Sequence, residues 1–310
     1  MTDSQNLLKL PGLKPGDKIA VISPAGPIAA KRLNAGIGQL RKWGFSVVLG
    51  KYTGGRHFYL SSPDKARSED LTNAFLDPEV KALLCSRGGY GSGRLLHNFP
   101  FSAIADNPKI FVGFSDTTAL NWALFARSRL VTFSGPTVGE IGAGLPQSSV
   151  DSFFNSIGME KGTDYLYDGQ INTVRSGTAS GRLFPGCLSL IVTLLGTPYL
   201  PDLTGAILLI EEINEKPYRI DRMITHLKNA GILKQISALL VGQMINCWPR
   251  TPRRQHLPLE DILFDLTKDN PIPIYTGFPY GHSIDRITVP VGVHAEISSA
   301  GLKLLESPLS

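Results

Sequence analysis

Short apolar runs alternate with stretches of helical periodicity through the first half of the chain. The stretch Ala29–Trp43 repeats apolar residues every three or four positions, which places them on one face of a helix. The apolar runs that separate such helical stretches are Lys18–Ser23, Ser46–Leu49, Ala82–Ser86, Lys109–Gly113 and Val131–Ser134. Because this alternation is typical of βαβ units, it predicts an α/β fold with a mostly parallel sheet.

The character of the sequence changes between Gly158 and Gly181. This stretch is polar, is rich in Gly, Thr, Asp and Ser, and has no long period, which indicates a linker and the entry into a second domain. Strand-like and helical runs alternate again after it. We therefore predict two α/β domains, over residues 1–160 and 176–310, and a length of 310 residues is consistent with two.

Composition and charge exclude several classes of protein. A content of 42% hydrophobic and 18% charged residues excludes a disordered chain. The 31 Lys and Arg residues exceed the 26 Asp and Glu residues by only five, and they are mixed along the chain, which does not suggest a nucleic-acid partner. No apolar run approaches the ~20 residues of a membrane helix. The polar segment Met1–Asn6 does not resemble a secretion signal, so we expect a cytoplasmic location.

The three cysteines offer no framework for a disulfide or a metal site. Cys85, Cys187 and Cys247 are far apart and form no C-x-x-C pair. A structural zinc site is therefore not expected, and no other metal-ligand motif is recognised.

A candidate nucleophile lies where the fourth strand-like run turns into a helix. Ligands of open α/β sheets bind outside the carboxyl ends of the strands, and Ser115 in Gly113-Phe-Ser-Asp116 occupies such an end. A sharp turn exposes the hydroxyl, and the following amide could stabilise an oxyanion. Thr117 stands where the hydrolase G-x-S-x-G pattern has its second glycine. The alternative is an ordinary Ser/Asp helix cap.

A glycine-rich loop, Ser86–Arg94, follows the preceding strand-like run. Its glycines would let the backbone approach a ligand, and its amides could form an anion-binding nest. The loop does not match the dinucleotide-binding G-x-G-x-x-G pattern in register, and a plain turn is an equally good interpretation.

An acidic residue and a histidine complete a candidate catalytic group with Ser115. Glu211 and Glu212 end an apolar strand, with Glu215 shortly after, and a carboxylate there could orient a histidine or pair with a nearby arginine. Since alternate strand residues face opposite sides, only one of the adjacent pair can face the same partner, and we choose Glu211. His282 lies in a loop. Ser115, Glu211 and His282 thus supply a nucleophile, an orienting carboxylate and a general base.

The chain resembles the LD-carboxypeptidases, a family of serine peptidases that includes murein tetrapeptide carboxypeptidases and microcin C immunity peptidases. The similarity extends over nearly the whole chain and rests on the joint order and spacing of several segments. These segments are Leu13–Asp17, Ile19–Pro24, Asp70–Leu71, Ala74–Pro78, Ser86–Gly91, Arg94–Leu96, Gly113–Thr118, Leu195–Tyr199, Ile207–Glu212, Lys216–Arg222 and Gly277–His282.

The resemblance implies a catalytic triad of Ser115, Glu211 and His282. It also implies that the backbone amides of Gly89 and Asp116 bind the oxyanion, and that no metal or cofactor is required. The implied fold is an N-terminal flavodoxin-like or amidotransferase-like domain with a parallel sheet, followed by a smaller C-terminal α/β domain. A homodimer with the site between domains is expected.

The implied reaction is hydrolysis of the L,D amide bond before the C-terminal D-alanine of a murein tetrapeptide, as in peptidoglycan recycling. The alternatives are a microcin-type peptidase that cleaves peptidyl or aminoacyl nucleotides, and a non-catalytic α/β protein that binds a nucleotide or sugar. Three residues depart from the pattern of many members. Pro185 and Cys187 replace Gly and Asn, and Ser134 replaces His, which makes substrate preference the least determined property.

Overall fold

The computed structural model describes residues 7–159, 165–248 and 256–310, so the segment Met1–Asn6 lies outside the described residues. The strands are β1 (Lys18–Ile22), β2 (Ser46–Leu49), β3 (Val80–Cys85), β4 (Ile110–Gly113), β5 (Thr132–Ser134), β6 (Tyr165–Tyr167), β7 (Asn172–Arg175), β8 (Ala179–Cys187), β9 (Ile207–Ile213), β10 (Ala238–Ile245), β11 (Ile274–Thr276), β12 (Val289–Val291), β13 (His294–Ser298) and β14 (Gly301–Leu304). The α-helices are α1 (Ala30–Lys42), α2 (Asp64–Leu76), α3 (Phe101–Asp106), α4 (Thr118–Ser128), α5 (Val138–Ile141), α6 (Gln147–Ile157), α7 (Leu188–Leu194), α8 (Pro217–Asn229), α9 (Ile232–Gln235) and α10 (Leu259–Leu266).

The first sheet has six strands in the order β12-β5-β4-β3-β1-β2. Strands β1 to β5 pair in parallel, as the alternation of strands and helices predicted, and β12 runs antiparallel to β5. Successive residues of β1 enter opposite cores: Ile19 and Val21 pack with α1, whereas Ala20 and Ile22 pack with α2 and α4. Helices therefore cover both faces of this sheet, and the predicted α/β class is confirmed.

The second sheet has eight strands in the order β6-β14-β13-β8-β9-β10-β11-β7. Its centre, β8 to β11, is parallel, and antiparallel strands lie on both sides of that centre. The core that includes α4 continues into α7 and α8 against β9 and β10. The indole nitrogen of Trp122 in α4 donates a hydrogen bond of 2.8 Å to the carbonyl of Pro185 in β8, which joins the two halves of the chain.

The polar stretch 158–181, interpreted as a linker and the entry into the second domain, contains regular strands. Strands β6 and β7 lie within this stretch, and β8 begins in it, while residues 160–164 lie outside the described residues. β6 and β7 have three and four residues and form the two edges of the second sheet, where polar residues are common. The domain limits 1–160 and 176–310 stay a prediction, although β12 from the second half joins the first sheet.

Candidate active site

The chain turns sharply at Ser115, directly after β4. Ser115 has a φ of 63°, in the left-handed region that a residue with a side chain rarely adopts and that costs about 1–2 kcal/mol. A Cβ on Gly113 would collide with the side chain of Thr117, so only glycine fits two residues before the turn. The Thr117 hydroxyl donates a hydrogen bond of 3.0 Å to the Phe114 carbonyl and fixes the turn from its far side. A strained serine between strand and helix is typical of a nucleophile elbow.

The structure brings Ser115, His282 and Glu211 into one hydrogen-bonded chain. The Ser115 hydroxyl lies 2.9 Å from Nε2 of His282, and Nδ1 of the same ring lies 2.7 Å from Oε2 of Glu211. The Glu211 side chain is fully buried, and its Oε1 has no partner among the described residues. Burial raises the pKa of Glu211, and the hydrogen bond with His282 opposes that rise. A carboxylate there holds Nδ1 protonated and leaves Nε2 free to accept the serine proton.

The two neighbouring acidic residues have other partners. Glu212 accepts hydrogen bonds from the backbone amides of Ser189, at 2.8 Å, and Ile213, at 2.9 Å, and so anchors the first turn of α7. Glu215 pairs with Arg219 at a distance of 3.2 Å. Of the three carboxylates that the sequence offered, the first is therefore the one in contact with the imidazole.

The Asp116 carboxylate ties the glycine loop to the turn at the serine. It is buried and accepts hydrogen bonds from the amides of Gly91, at 3.2 Å, and Ser92, at 2.8 Å. The Ser92 hydroxyl in turn donates to the Asp116 carbonyl at 2.6 Å. The carboxylate thus serves the start of the short 3-10 helix that follows the loop, rather than its own helix. The turn and the loop form one hydrogen-bonded unit.

The glycine loop lies directly against the serine. A Cβ on Gly88 would be 2.8 Å from Cβ and 3.0 Å from Oγ of Ser115, so a side chain at Gly88 would displace the hydroxyl. Gly89 has a φ of 110°, and its amide has no acceptor within the described part of the chain. Asp116 follows the serine in the chain, and Gly89 follows Gly88, which lies against the serine. Their role as oxyanion donors stays a prediction.

Several residues around the imidazole escaped the sequence analysis. The Phe114 ring is 4.8 Å from the His282 ring, and the Arg286 guanidinium lies 3.8 Å above the same phenyl ring. Tyr280 is fully buried, and its hydroxyl lies 2.7 Å from the hydroxyl of Ser134 at the end of β5. Ser134 was noted only as a departure from a family pattern. Arg286 carried no signal, because nothing in the sequence shows that a charge in this loop is buried.

Another of the departures, Cys187, also lies beside the site. Cys187 ends β8 and is the register partner of Glu211 on β9, and its thiol lies 3.4 Å from the Glu212 carboxylate. Burial, together with the charges of Glu211 and Glu212, raises the pKa of the Cys187 thiol well above its ordinary value. A protonated, buried thiol is a poor nucleophile, so Cys187 acts here as a small packing residue beside the site.

Cys85, Cys187 and Cys247 are all buried and free. Within the described residues, no group of three or more His, Cys, Asp or Glu side chains is arranged to hold a metal ion. In the same part of the chain, no helix is both long and apolar enough to cross a membrane.

A half-buried turn serine, a histidine and a buried carboxylate, set at strand ends of an α/β fold, are the arrangement of serine hydrolases. Matches to family models identify the family within this class of enzymes. The LD-carboxypeptidase N-terminal domain matches residues 19–135, and the LD-carboxypeptidase C-terminal domain matches residues 180–297. The chain belongs to the LD-carboxypeptidase family.

Relatives and solved structures agree with this family. The chain is 38% identical over 292 residues to a probable murein peptide carboxypeptidase of Bacillus subtilis, covering 93% of this chain and 91% of the relative. It is similar to the structure of a muramoyltetrapeptide carboxypeptidase from Oxalobacter formigenes, with a TM-score of 0.79, 32% identity and coverage of 92% and 96% of the two chains. It is also similar to the Escherichia coli microcin C7 self-immunity protein MccF in complex with aspartyl sulfamoyl adenosine, with a TM-score of 0.88, 26% identity and coverage of 98% and 100%.

Proposed function

We propose that this protein is a serine carboxypeptidase that removes the C-terminal D-alanine from murein tetrapeptides by hydrolysing the L,D amide bond. The observation that carries the proposal is the unbroken chain of hydrogen bonds from the Ser115 hydroxyl through His282 to the buried Glu211, at 2.9 and 2.7 Å. The murein peptide activities in the names of the relatives supply the substrate class.

The first half of the reaction forms an acyl-enzyme. Ser115 Oγ attacks the carbonyl carbon before D-alanine while its proton passes to His282 Nε2. Glu211 stabilises the imidazolium through the hydrogen bond at Nδ1. When the tetrahedral intermediate collapses, Nε2 gives the proton to the departing amine. The D-alanine leaves, and an ester joins Ser115 to the rest of the peptide.

The second half releases the shortened peptide. A water molecule takes the place of D-alanine, gives a proton to His282 Nε2, and attacks the ester carbonyl. The serine oxygen regains the proton as it leaves, so the enzyme returns to its starting state. In both halves the amides of Gly89 and Asp116 donate to the carbonyl oxygen as it gains charge, a contribution of about 3–4 kcal/mol for one donor in a comparable hydrolase.

The proposal includes action on small cytoplasmic peptides during peptidoglycan recycling, as a homodimer. The mass of the purified protein in solution, measured by light scattering, tests the dimer. Mass spectrometry of peptides from the cytoplasm of cells with and without the gene tests the location and the substrate pool.

The direct test of function compares two substrates. The purified protein is incubated with murein tetrapeptide and, separately, with aspartyl sulfamoyl adenosine, and products are identified by mass spectrometry. We expect loss of one D-alanine from the tetrapeptide, and no loss with Ser115→Ala. Cleavage of the sulfamoyl adenosine alone would favour the microcin-type activity. Tight binding of a nucleotide or sugar without any cleavage would favour a non-catalytic protein.

A further inference from the structure

The loop that carries His282 is held by a buried arginine. Arg286 retains only 5% of its side-chain exposure and follows the histidine by four residues. One Nη1 hydrogen is shared between the carbonyls of Gly281, at 3.3 Å, and Ser283, at 3.4 Å, which are the two residues on either side of His282. One guanidinium nitrogen therefore fixes the backbone both before and after the histidine.

The same guanidinium is bound to the first half of the chain. Nη1 and Nη2 donate to Oε1 and Oε2 of Glu140, both at 2.8 Å, in a bidentate pair. Glu140 is itself held by Thr137, whose amide and hydroxyl donate to Oε2 at 2.9 and 2.7 Å. Burial alone would raise the pKa of Glu140, but the charge and hydrogen bonds of Arg286 outweigh it, so the carboxylate has a pKa below its ordinary value. The pair is ionised at neutral pH.

The ion pair is linked to the glycine loop through the neighbouring residue Gly139, and to the turn at Ser115 through Phe114. Glu140 lies in α5, where the amide of Gly139 donates a 2.9 Å hydrogen bond to the carbonyl of Ser86 at the start of the glycine loop. The guanidinium lies 3.8 Å above the ring of Phe114, the residue before Ser115. The phenyl ring is thus in contact with the guanidinium and also with the His282 imidazole, whose ring centre is 4.8 Å from its own.

A buried ion pair is weak evidence for stability, because desolvation offsets most of the attraction between the charges. The pair instead fixes geometry, because a bidentate guanidinium–carboxylate contact allows only one relative orientation of the two side chains. We propose that Arg286, through its pair with Glu140, is a positioning residue that holds His282 Nε2 at hydrogen-bond distance from Ser115. The inference rests on the proposed function of Ser115 and His282, and it adds two residues that touch neither substrate nor reacting atoms.

The test separates positioning from stability by removing both charges together. Arg286→Met alone would leave the Glu140 carboxylate, whose side chain is 33% exposed, without its cationic partner and could destabilise the fold. The double variant Arg286→Met/Glu140→Gln leaves no unpaired charge and retains the packing against Phe114. Arg286→Lys retains the charge but not the planar fork. Arg182→Lys is the matched control, because Arg182 is also largely buried, with 15% side-chain exposure, and donates to a backbone carbonyl at 2.8 Å, but is remote from the site.

Two readouts are measured on each folded variant. The first is kcat and KM for release of D-alanine. We expect the double variant to unfold near the wild-type temperature, with kcat lower by about 100-fold and KM within about threefold, because a displacement near 1 Å at the reacting groups has an effect of that size. Arg286→Lys should lie between the double variant and the wild type, and Arg182→Lys should retain the wild-type kcat.

The second readout needs no substrate. Nitrogen-15 spectra of the histidine side chains should show one tautomer of His282 in the wild type, with Nδ1 protonated, and a mixture of tautomers in the double variant. If the wild type releases no D-alanine, the proposed function has failed, and these spectra decide the positioning role alone. A folded double variant with wild-type kcat, or with an unchanged His282 spectrum, would overturn the inference. If the double variant does not fold, Arg286→Lys decides by the same two measurements.

Discussion

The adjacent carboxylates of Glu211 and Glu212, at the end of β9, allow the proposed catalytic role of the first to be compared with the structural role of the second. Glu211 is fully buried, and its Oε1 has no partner among the described residues. Glu212 is 3% exposed, and both of its oxygens accept backbone hydrogen bonds, from Ser189 and Ile213. The same change, glutamate to glutamine, should therefore have opposite effects on stability at the two positions, and a large effect on activity only at Glu211.

At the first position, Glu211→Gln replaces a buried carboxylate with a neutral amide of nearly equal shape. A buried polar atom without a partner destabilises by about 1–3 kcal/mol, and a charged one by more. We expect the free energy of unfolding at pH 8 to rise by about 1 kcal/mol, since the new amide also lacks a full set of partners. At the second position, Glu212→Gln removes one of two acceptors for backbone amides and should lower that free energy by about 1–2 kcal/mol.

The gain from Glu211→Gln should depend on pH. Burial raises the pKa of Glu211 in the folded protein above the ordinary value of 4.5, so the folded state binds the proton more tightly than the unfolded state. The carboxyl group therefore favours folding most below pH 4.5, and this advantage is lost as the pH rises through the folded-state pKa. Replacement by glutamine should have little effect on stability at pH 4 and its full stabilising effect at pH 8.

Urea unfolding at pH 4 and pH 8 measures the stability of both variants, and release of D-alanine measures their activity. Glu211→Gln should lower kcat by about 10⁴-fold, as the equivalent change does in a serine protease, because the imidazole loses its preferred tautomer. Glu212→Gln should stay within about tenfold of the wild type. An inactive Glu212→Gln beside an active Glu211→Gln would refute the assignment of the acid.

Three further outcomes follow from the site. Asp116→Asn should lower kcat by about 10–100-fold with a small change in KM, because the amide group can no longer accept from both Gly91 and Ser92 and the oxyanion loop loosens; a change in KM alone would contradict this. Gly88→Ala should abolish D-alanine release, because the new Cβ would lie 2.8 Å from Cβ of Ser115. A fluorescent product analogue should bind as it does to the wild type. An active Gly88→Ala enzyme would show that the glycine loop moves freely. A tetrapeptide ending in L-alanine should be cut at least ~100-fold more slowly than its D counterpart, about 2.7 kcal/mol of transition-state binding; equal rates would indicate a general carboxypeptidase.

The sequence predicted the individual site residues because each one follows a strand-like run. Parallel strands place their carboxyl ends at one edge of a sheet, so Ser115 and the glycine loop could be expected to lie together. The alternation of sides along a strand reduced Glu211 and Glu212 to one candidate. The contact of these residues with His282 could not be foreseen, because it depends on how the two sheets pack, which no local pattern encodes.

No pattern in the sequence indicated which residues support the histidine. Arg286 and Glu140 are separated by 146 residues, and either one alone has the pattern of an ordinary surface charge. The short strands β6 and β7 were missed for another reason. They are edge strands of only three and four residues, which is too short for the periodicity that identifies a strand in a sequence.

Trapping the covalent acyl-enzyme is the most direct test of Ser115 as the nucleophile. The protein is mixed with murein tetrapeptide, quenched in acid within milliseconds, digested with trypsin and mapped by mass spectrometry. We expect a tripeptidyl ester on Ser115, within the tryptic peptide 110–127, together with a burst of one D-alanine per active site. An acyl group on a different residue, or D-alanine release that survives Ser115→Ala, would contradict it.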